Sequence, residues 1–168
     1  MNFDTTENLF IEGDNLDALK LLQESYLGQV KMIYIDPPYN TGSDFIYKDD
    51  FSENTSDFLE RSEQVDEEGN RLIDNYELNS ETNGRFHSDW LTMMYSRIRL
   101  TKSLLKEDGV IFVSCDENEH AKLKLILDET FGQNNFIADL VWAGGRKNDS
   151  QHISVSHEYI ICYVKSLS

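Results

Sequence analysis

The apolar residues of this chain fall into short continuous runs, separated by stretches in which they recur every three or four positions. Leu9-Phe10-Ile11 is a first short run, ending at Gly13-Asp14. Asn15 can cap a helix from Leu16, in which Leu16, Leu19, Leu22 and Tyr26 share a face before Gly28 ends it. Val30 to Ile35 follows as a strand, stopped by Asp36-Pro37-Pro38. Ser88 is the expected cap of a long helix with Trp90, Leu91, Met94, Ile98 and Leu105 on one side, stopping at Gly109. Val110 to Cys115 is nearly unbroken and rich in β-branched residues, the pattern of a strand covered on both faces. Asp116 and Glu119 have the spacing of a capping box for a helix with Leu123, Ile126, Leu127 and Phe131, which ends at Gly132. Phe136 to Trp142 and Glu158 to Val164 predict two last strands around a polar stretch, 143–157. Strands alternating with helices predict a doubly wound α/β sheet, mostly parallel and closed by an antiparallel hairpin.

One stretch breaks this alternation. Between Lys48 and Glu81, twelve acidic residues face three basic ones, so this stretch carries −9 of the formal net charge of −16. It is poor in aliphatics and rich in Ser, Asn and Thr, which predicts a long, solvated insertion loop over 48–84. A charge of −16 argues against a general phosphate-neutralising surface. The clustering weakens that objection, because the charge measures an insertion more than it measures a binding face.

The length of 168 residues, with 39% hydrophobic and 11% aromatic residues, suits a globular domain and not an acidic disordered polymer. No apolar run approaches the roughly 18 residues of a membrane span, and the N-terminal residues do not read as a signal peptide. Cys115 and Cys162 both lie inside apolar runs and read as buried thiols of a cytoplasmic protein. His152, His157 and Cys162 match no common zinc spacing, so no metal is expected. Ser156-His157-Glu158 are sequence neighbours, whereas a catalytic triad is assembled by the fold, so they do not indicate a hydrolase.

The candidate chemistry lies where the Val30–Ile35 strand ends, because open α/β sheets bind ligands at their carboxyl edge. Pro37 and Pro38 lack amide hydrogens and fix their own φ, which leaves carbonyls as outward acceptors. Asp36 adds a carboxylate, and Tyr39 a flat face with a polar tip. Two acceptors beside a ring are what an exocyclic amine on a planar heterocycle requires. Drawing on both amine hydrogens would free the nitrogen lone pair for an electrophile.

Asp36-Pro37-Pro38-Tyr39-Asn40-Thr41-Gly42 resembles the catalytic motif of the amino-DNA methyltransferases, in the form found in modification subunits of type III restriction–modification systems. The resemblance continues through Gly13-Asp14-Asn15-Leu16, Phe86-His87-Ser88-Asp89-Trp90-Leu91, Glu107 to Phe112, Phe131-Gly132 and Ser156 to Ile160, so it spans essentially the whole chain. The acidic insertion after the motif belongs to it too. The resemblance implies transfer of a methyl group from S-adenosylmethionine to the N6 amine of an adenine flipped out of DNA. It implies that Asp36 and the Pro37 carbonyl accept the amine hydrogens and that Tyr39 stacks on the base, with Pro38 completing the motif. It also places Asp36, Asp14 and Asn15 near the cofactor, although Asp14 and Asn15 read equally well as a helix cap. Arg146 and Lys147 are candidates for DNA phosphates, the alternative being a solvated loop. His87 is placed near the pocket without a role.

The sequence departs from the family in one respect. None of its nine glycines forms the Phe-x-Gly-x-Gly turn with which these enzymes approach the cofactor. In the matching branch the catalytic motif comes first, and the target reader and glycine-rich motif follow. Residues 1–168 are therefore expected to be the catalytic half of a Rossmann-like methyltransferase, lacking two central strands of the sheet. The implied partners are DNA, a second copy or a complementing C-terminal half, and a restriction subunit. Two further readings stand beside this one: a non-catalytic module that binds a companion subunit through an open sheet edge, and transfer to the N4 amine of cytosine. Asp rather than Ser opening the motif leans toward adenine. A hydrolase or dehydrogenase is disfavoured, since neither a nucleophile elbow nor a dinucleotide glycine fingerprint is present.

Overall fold

The computed structural model describes residues 5–47, 76–144 and 155–167. Arg146, Lys147 and residues 48–75 of the acidic stretch lie outside the described residues.

Helix α1 (Asn15–Tyr26) is capped one residue earlier than expected. Asp14 has extended backbone, and its Oδ1 accepts from the amides of Leu16 and Asp17 at 2.9 and 3.0 Å. Those two donors would otherwise be left over at the helix start. Asn15 is thereby released from capping, and its Oδ1 accepts from Arg97 Nε at 2.6 Å. Gly28, at φ 63°, turns the chain in the left-handed region and donates its amide to the carbonyl of Ser103.

Strand β1 (Val30–Ile35) leads to the proline turn. Strands β2 (Phe45–Tyr47) and β3 (Tyr76–Leu78) then form a separate antiparallel ribbon. The described end of the expected loop thus begins as a strand, because Phe45 to Tyr47 offers it a pairing partner. Helix α2 (Phe86–Leu104) starts before Ser88, whose hydroxyl donates to the carbonyl of Arg85. It runs straight into β4 (Leu105–Cys115) instead of continuing to Gly109. The cause is sheet register: Leu105 pairs with Val30 and Val110 with Met32, so residues 106–109 are looped out between two paired positions. Helix α3 (His120–Phe131) has no side-chain cap, and the expected Asp116–Glu119 capping box does not form. Asp116 instead accepts from the amide of Asn118, while Glu119 turns into the interior. A short 3₁₀ turn, Gln133–Asn135, precedes β5 (Phe136–Ala143) and β6 (His157–Val164).

The main sheet has the order β1-β4-β6-β5. β1 and β4 are parallel, while β6 is antiparallel to both β4 and β5. The α/β class and the closing hairpin are as expected, but the sheet is only partly parallel. One of its three pairings is parallel, because the hairpin supplies two of the four strands. Leu9-Phe10-Ile11 is irregular rather than a strand, with side chains 69%, 91% and 53% exposed. A lone strand leaves its backbone groups unpaired, and among the described residues none lies beyond the outer edge of β1 to pair it. The core lies under the middle of the sheet, where Ile111, Val113, Ile161 and Tyr163 meet Trp90, Ile98, Leu123 and Leu127 of α2 and α3.

Candidate active site at the carboxyl end of β1

The proline turn leaves β1 at Asp36, whose side chain is exposed, and passes through half-buried Pro37, Pro38 and Tyr39 to buried Asn40. The four residues expected to act together are thus together at the strand end, as chain neighbours on a rigid turn. The carbonyl of Pro38 is held by Trp90, whose Nε1 donates to it at 2.7 Å. Of the two proline carbonyls, the one expected to bind an amine is the other, that of Pro37.

Tyr39 directs its hydroxyl back over the turn. It donates to Asp36 Oδ1 at 3.1 Å and to Glu158 Oε2 at 3.3 Å. Burial raises the phenol well above its ordinary range, and the carboxylates of Asp36 and Glu158 add to the rise. The hydroxyl therefore stays protonated and acts as a donor at every physiological pH. Glu158 lies on β6, directly opposite Trp142 of β5 in the ladder, and that indole is largely exposed. Beside them, Tyr34 and Ser114 share a hydrogen bond of 2.5 Å between their hydroxyls.

Asn40 is the one non-glycine residue with positive φ, 60°, among the described residues. Its Nδ2 donates to Glu119 Oε1 at 2.6 Å, and its Oδ1 accepts from Asn79 Nδ2 at 2.7 Å. Asn79 Nδ2 also donates to the carbonyl of Phe86, and His87 Nδ1 contacts Glu119 Oε1. After Asn40, the amide and hydroxyl of Thr41 both donate to Asp44 Oδ2, at 2.6 and 2.8 Å. Gly42 is fixed twice over, by φ 90° and by Glu81 Cγ, which would lie 2.9 Å from any added Cβ.

Asp14 and Asn15 are held at the start of α1, engaged by helix amides and by Arg97. Ser156-His157-Glu158 form no relay: His157 Nε2 pairs with the Tyr159 hydroxyl, while Glu158 takes Tyr39. No group of three His, Cys, Asp or Glu residues is placed to hold a metal among the described residues. Sequence reasoning missed Trp90, Glu119 and Glu158 as members of the site. Asn40 carried a usable signal, since asparagine tolerates the left-handed backbone that a turn after two prolines and a tyrosine can demand.

A mixed α/β sheet with an Asp-Pro-Pro-Tyr turn at a strand's carboxyl end is the architecture of an amino-group methylase. Residues 30–167 match the N6/N4 methyltransferase family, described as DNA methylase, and the chain belongs to that family. It is 44% identical over 163 residues to the Mod subunit of the type III restriction-modification enzyme EcoP15I of Escherichia coli, a match covering 96% of this chain and 24% of that protein. The Mod subunit of the EcoPI enzyme of Escherichia phage P1 is also 44% identical, over 96% of this chain and 25% of that subunit. The chain therefore spans about a quarter of the length of these relatives. Among solved structures, the DNA modification methylase TTHA0409 from Thermus thermophilus, in complex with S-adenosyl-L-methionine, shares the fold with a TM-score of 0.53 at 12% identity, covering 90% of this chain and 54% of that one.

Proposed function

We propose that the chain is the catalytic-motif part of a modification subunit of a type III restriction–modification system, which methylates the N6 amine of adenine in DNA. The observation that carries this reading is the strand-end turn, with Asp36 exposed, Tyr39 folded over it and the Pro38 carbonyl held by Trp90. On this reading the Asp36 carboxylate and the Pro37 carbonyl each accept one hydrogen of the adenine amine. That holds the nitrogen lone pair toward the methyl donor, so catalysis is mainly positioning and electrostatics. Tyr39 stacks on the flipped base. Its hydroxyl donates to Asp36 before the base arrives, so it exchanges that bond for the substrate amine. Arg146 and Lys147 are assigned to DNA phosphates on sequence alone.

S-adenosylmethionine supplies the methyl group when bound, and this chain suits it only in part. Asp36 offers a free carboxylate edge, whereas Asp14 already caps α1 and Asn15 already takes Arg97. We assign the rest of the cofactor site to strands that pair along the outer edge of β1, next to exposed Leu9-Phe10-Ile11. They come from a longer polypeptide, a second copy or a companion chain, with a restriction subunit as the further partner. The free, buried thiols of Cys115 and Cys162 suit the cytoplasm, and burial pushes the Cys115 thiol up to about 12, which keeps it unreactive.

The test is methyl transfer by the full-length protein from labelled S-adenosylmethionine to duplex DNA, with the product nucleoside identified by mass spectrometry. N6-methyladenine is the expected product; N4-methylcytosine or no labelled base overturns the reading. Calorimetry on residues 1–168 tests the division of the cofactor site. The expectation is no binding alone and binding once the C-terminal half is added.

A further inference from the structure

Glu119 is 0% exposed, and a buried carboxylate is stable only where donors surround it. It stands at the start of α3, yet it makes no capping bond to that helix. Its partners lie on the catalytic turn and at the beginning of α2. Oε1 accepts from Asn40 Nδ2 at 2.6 Å and contacts His87 Nδ1, while Lys122 Nζ lies 3.4 Å from Oε2. Asn40 in turn holds a left-handed backbone at 1% exposure, and its amide oxygen takes Asn79. Such a conformation in a residue other than glycine persists where surrounding contacts over-determine it. With Trp90 holding the Pro38 carbonyl, the turn is pinned at the residues on either side of Tyr39. Asp36 and Tyr39 remain outward.

We propose that Glu119 is a positioning residue for the catalytic turn: through Asn40 it sets the direction in which Asp36, the Pro37 carbonyl and Tyr39 face the target base. The proposal rests on the methyltransferase reading above and adds a residue that touches neither base nor cofactor. Where catalysis is mostly positioning, a shift of one ångström in the acceptors lowers the rate by about a hundredfold without any change in the groups themselves. The carboxylate's partners are those of a support for the turn. A residue that merely anchored α3 would spend its bonds on that helix.

The experiment uses the full-length protein with Glu119→Ala, Glu119→Gln and Asn40→Gly. Glu119→Ala is expected to lower kcat about a hundredfold, with KM for DNA and the S-adenosylmethionine Kd each changing by less than about threefold. Glu119→Gln keeps an oxygen for Asn40 and is expected to restore kcat to within about threefold of wild type. Hydrogen exchange in Glu119→Ala should quicken about tenfold over residues 36–44 and stay unchanged over residues 93–104 of α2. Wild-type kcat in Glu119→Ala, or exchange that quickens across the whole domain, overturns the proposal. Should Glu119→Ala not fold, Asn40→Gly decides, since glycine keeps the left-handed backbone and loses only the amide bridge. A large fall in its kcat supports the proposal and full activity overturns it. A wild-type protein that methylates no base would sink the methyltransferase reading instead, and the exchange measurement would still report whether Glu119 holds the turn.

Discussion

Leu9-Phe10-Ile11 and Val110 to Cys115 are both apolar runs that read as strands, and they have opposite fates. The second becomes β4, flanked by β1 on one side and β6 on the other, with Ile111, Val113 and Cys115 fully buried. The first is irregular and largely exposed. Apolar burial contributes about 25 cal/mol per Å² wherever a partner surface exists, so the difference lies in the neighbours and not in the residues. A run of apolar side chains encodes a demand for cover. Along β4 the chain supplies that cover itself, through α2, α3 and β6. Beyond β1, among the described residues, it does not. Asp36 stands on the boundary between the closed and the open side.

The strongest way to break this comparison is at that boundary. Asp36→Ala in the full-length protein is expected to lower methyl transfer by about a thousandfold, as losing a preorganised polar group at a reacting atom does. Affinity for S-adenosylmethionine should fall by no more than about threefold. Steady-state kinetics with calorimetry check both. Retained activity would reduce the boundary to a structural seam with no chemical meaning.

On the closed side, Leu127→Ala is expected to destabilise the fold by about 2–5 kcal/mol, measured as a shift in the urea midpoint at constant slope. Leu127 is fully buried on α3 within the core beneath the sheet. A cost below about 1 kcal/mol would mean that this side is no better packed than the open one.

Much of the closed side was legible because the chain provides its own partners. The runs at Val30–Ile35, Val110–Cys115, Phe136–Trp142 and Glu158–Val164 are all strands, and Asp36 to Tyr39 are together because they are consecutive. What was not legible depends on long-range pairing. The end of α2 at Leu104 follows from the register between Leu105 and Val30. The missing capping box follows from Glu119 facing a turn 79 positions away. Trp90 reaches Pro38 across 52 positions, and Glu158 reaches Tyr39 across 119. No local pattern encodes such partners. The expected mostly parallel sheet failed for the same reason, since strand order and direction are properties of the assembled sheet.

A smaller effect comes from the polar support of the same closed core. Asp128 Oδ1 accepts from the Tyr163 hydroxyl at 2.5 Å and from Lys124 Nζ at 2.7 Å. Burial pushes this carboxyl up, but the bonds from Lys124 and Tyr163 outweigh it and hold it below the ordinary carboxylate range. A carboxyl depressed by folding stabilises the native state at pH values above its unfolded pKa of about 3.9, and that contribution is lost as pH falls through the lower folded value. Asp128→Asn is expected to cost about 1.5–3 kcal/mol at pH 7, the value of hydrogen bonds to a charged group. The gap between variant and wild type should narrow in urea titrations below about pH 4. A gap that stays constant across that range would show that Asp128 acts by shape and not by charge.

The smallest effect in this chain is expected from Phe10→Ser, and it sharpens the comparison most. Phe10 is 91% exposed, so its ring makes little contact that the substitution could remove. Stability of residues 1–168 should change by less than about 0.5 kcal/mol. In the full-length protein the same substitution meets a different surface, if strands from beyond this chain cover Leu9 to Ile11 as proposed. There it should cost about 1.5–3 kcal/mol, the value of a phenylalanine side chain taken out of water. Urea unfolding of both forms gives the two numbers, and their difference measures the missing neighbour directly. An equal, small effect in both would mean that Leu9-Phe10-Ile11 stays exposed in the complete protein, and the open edge of β1 would then need another explanation.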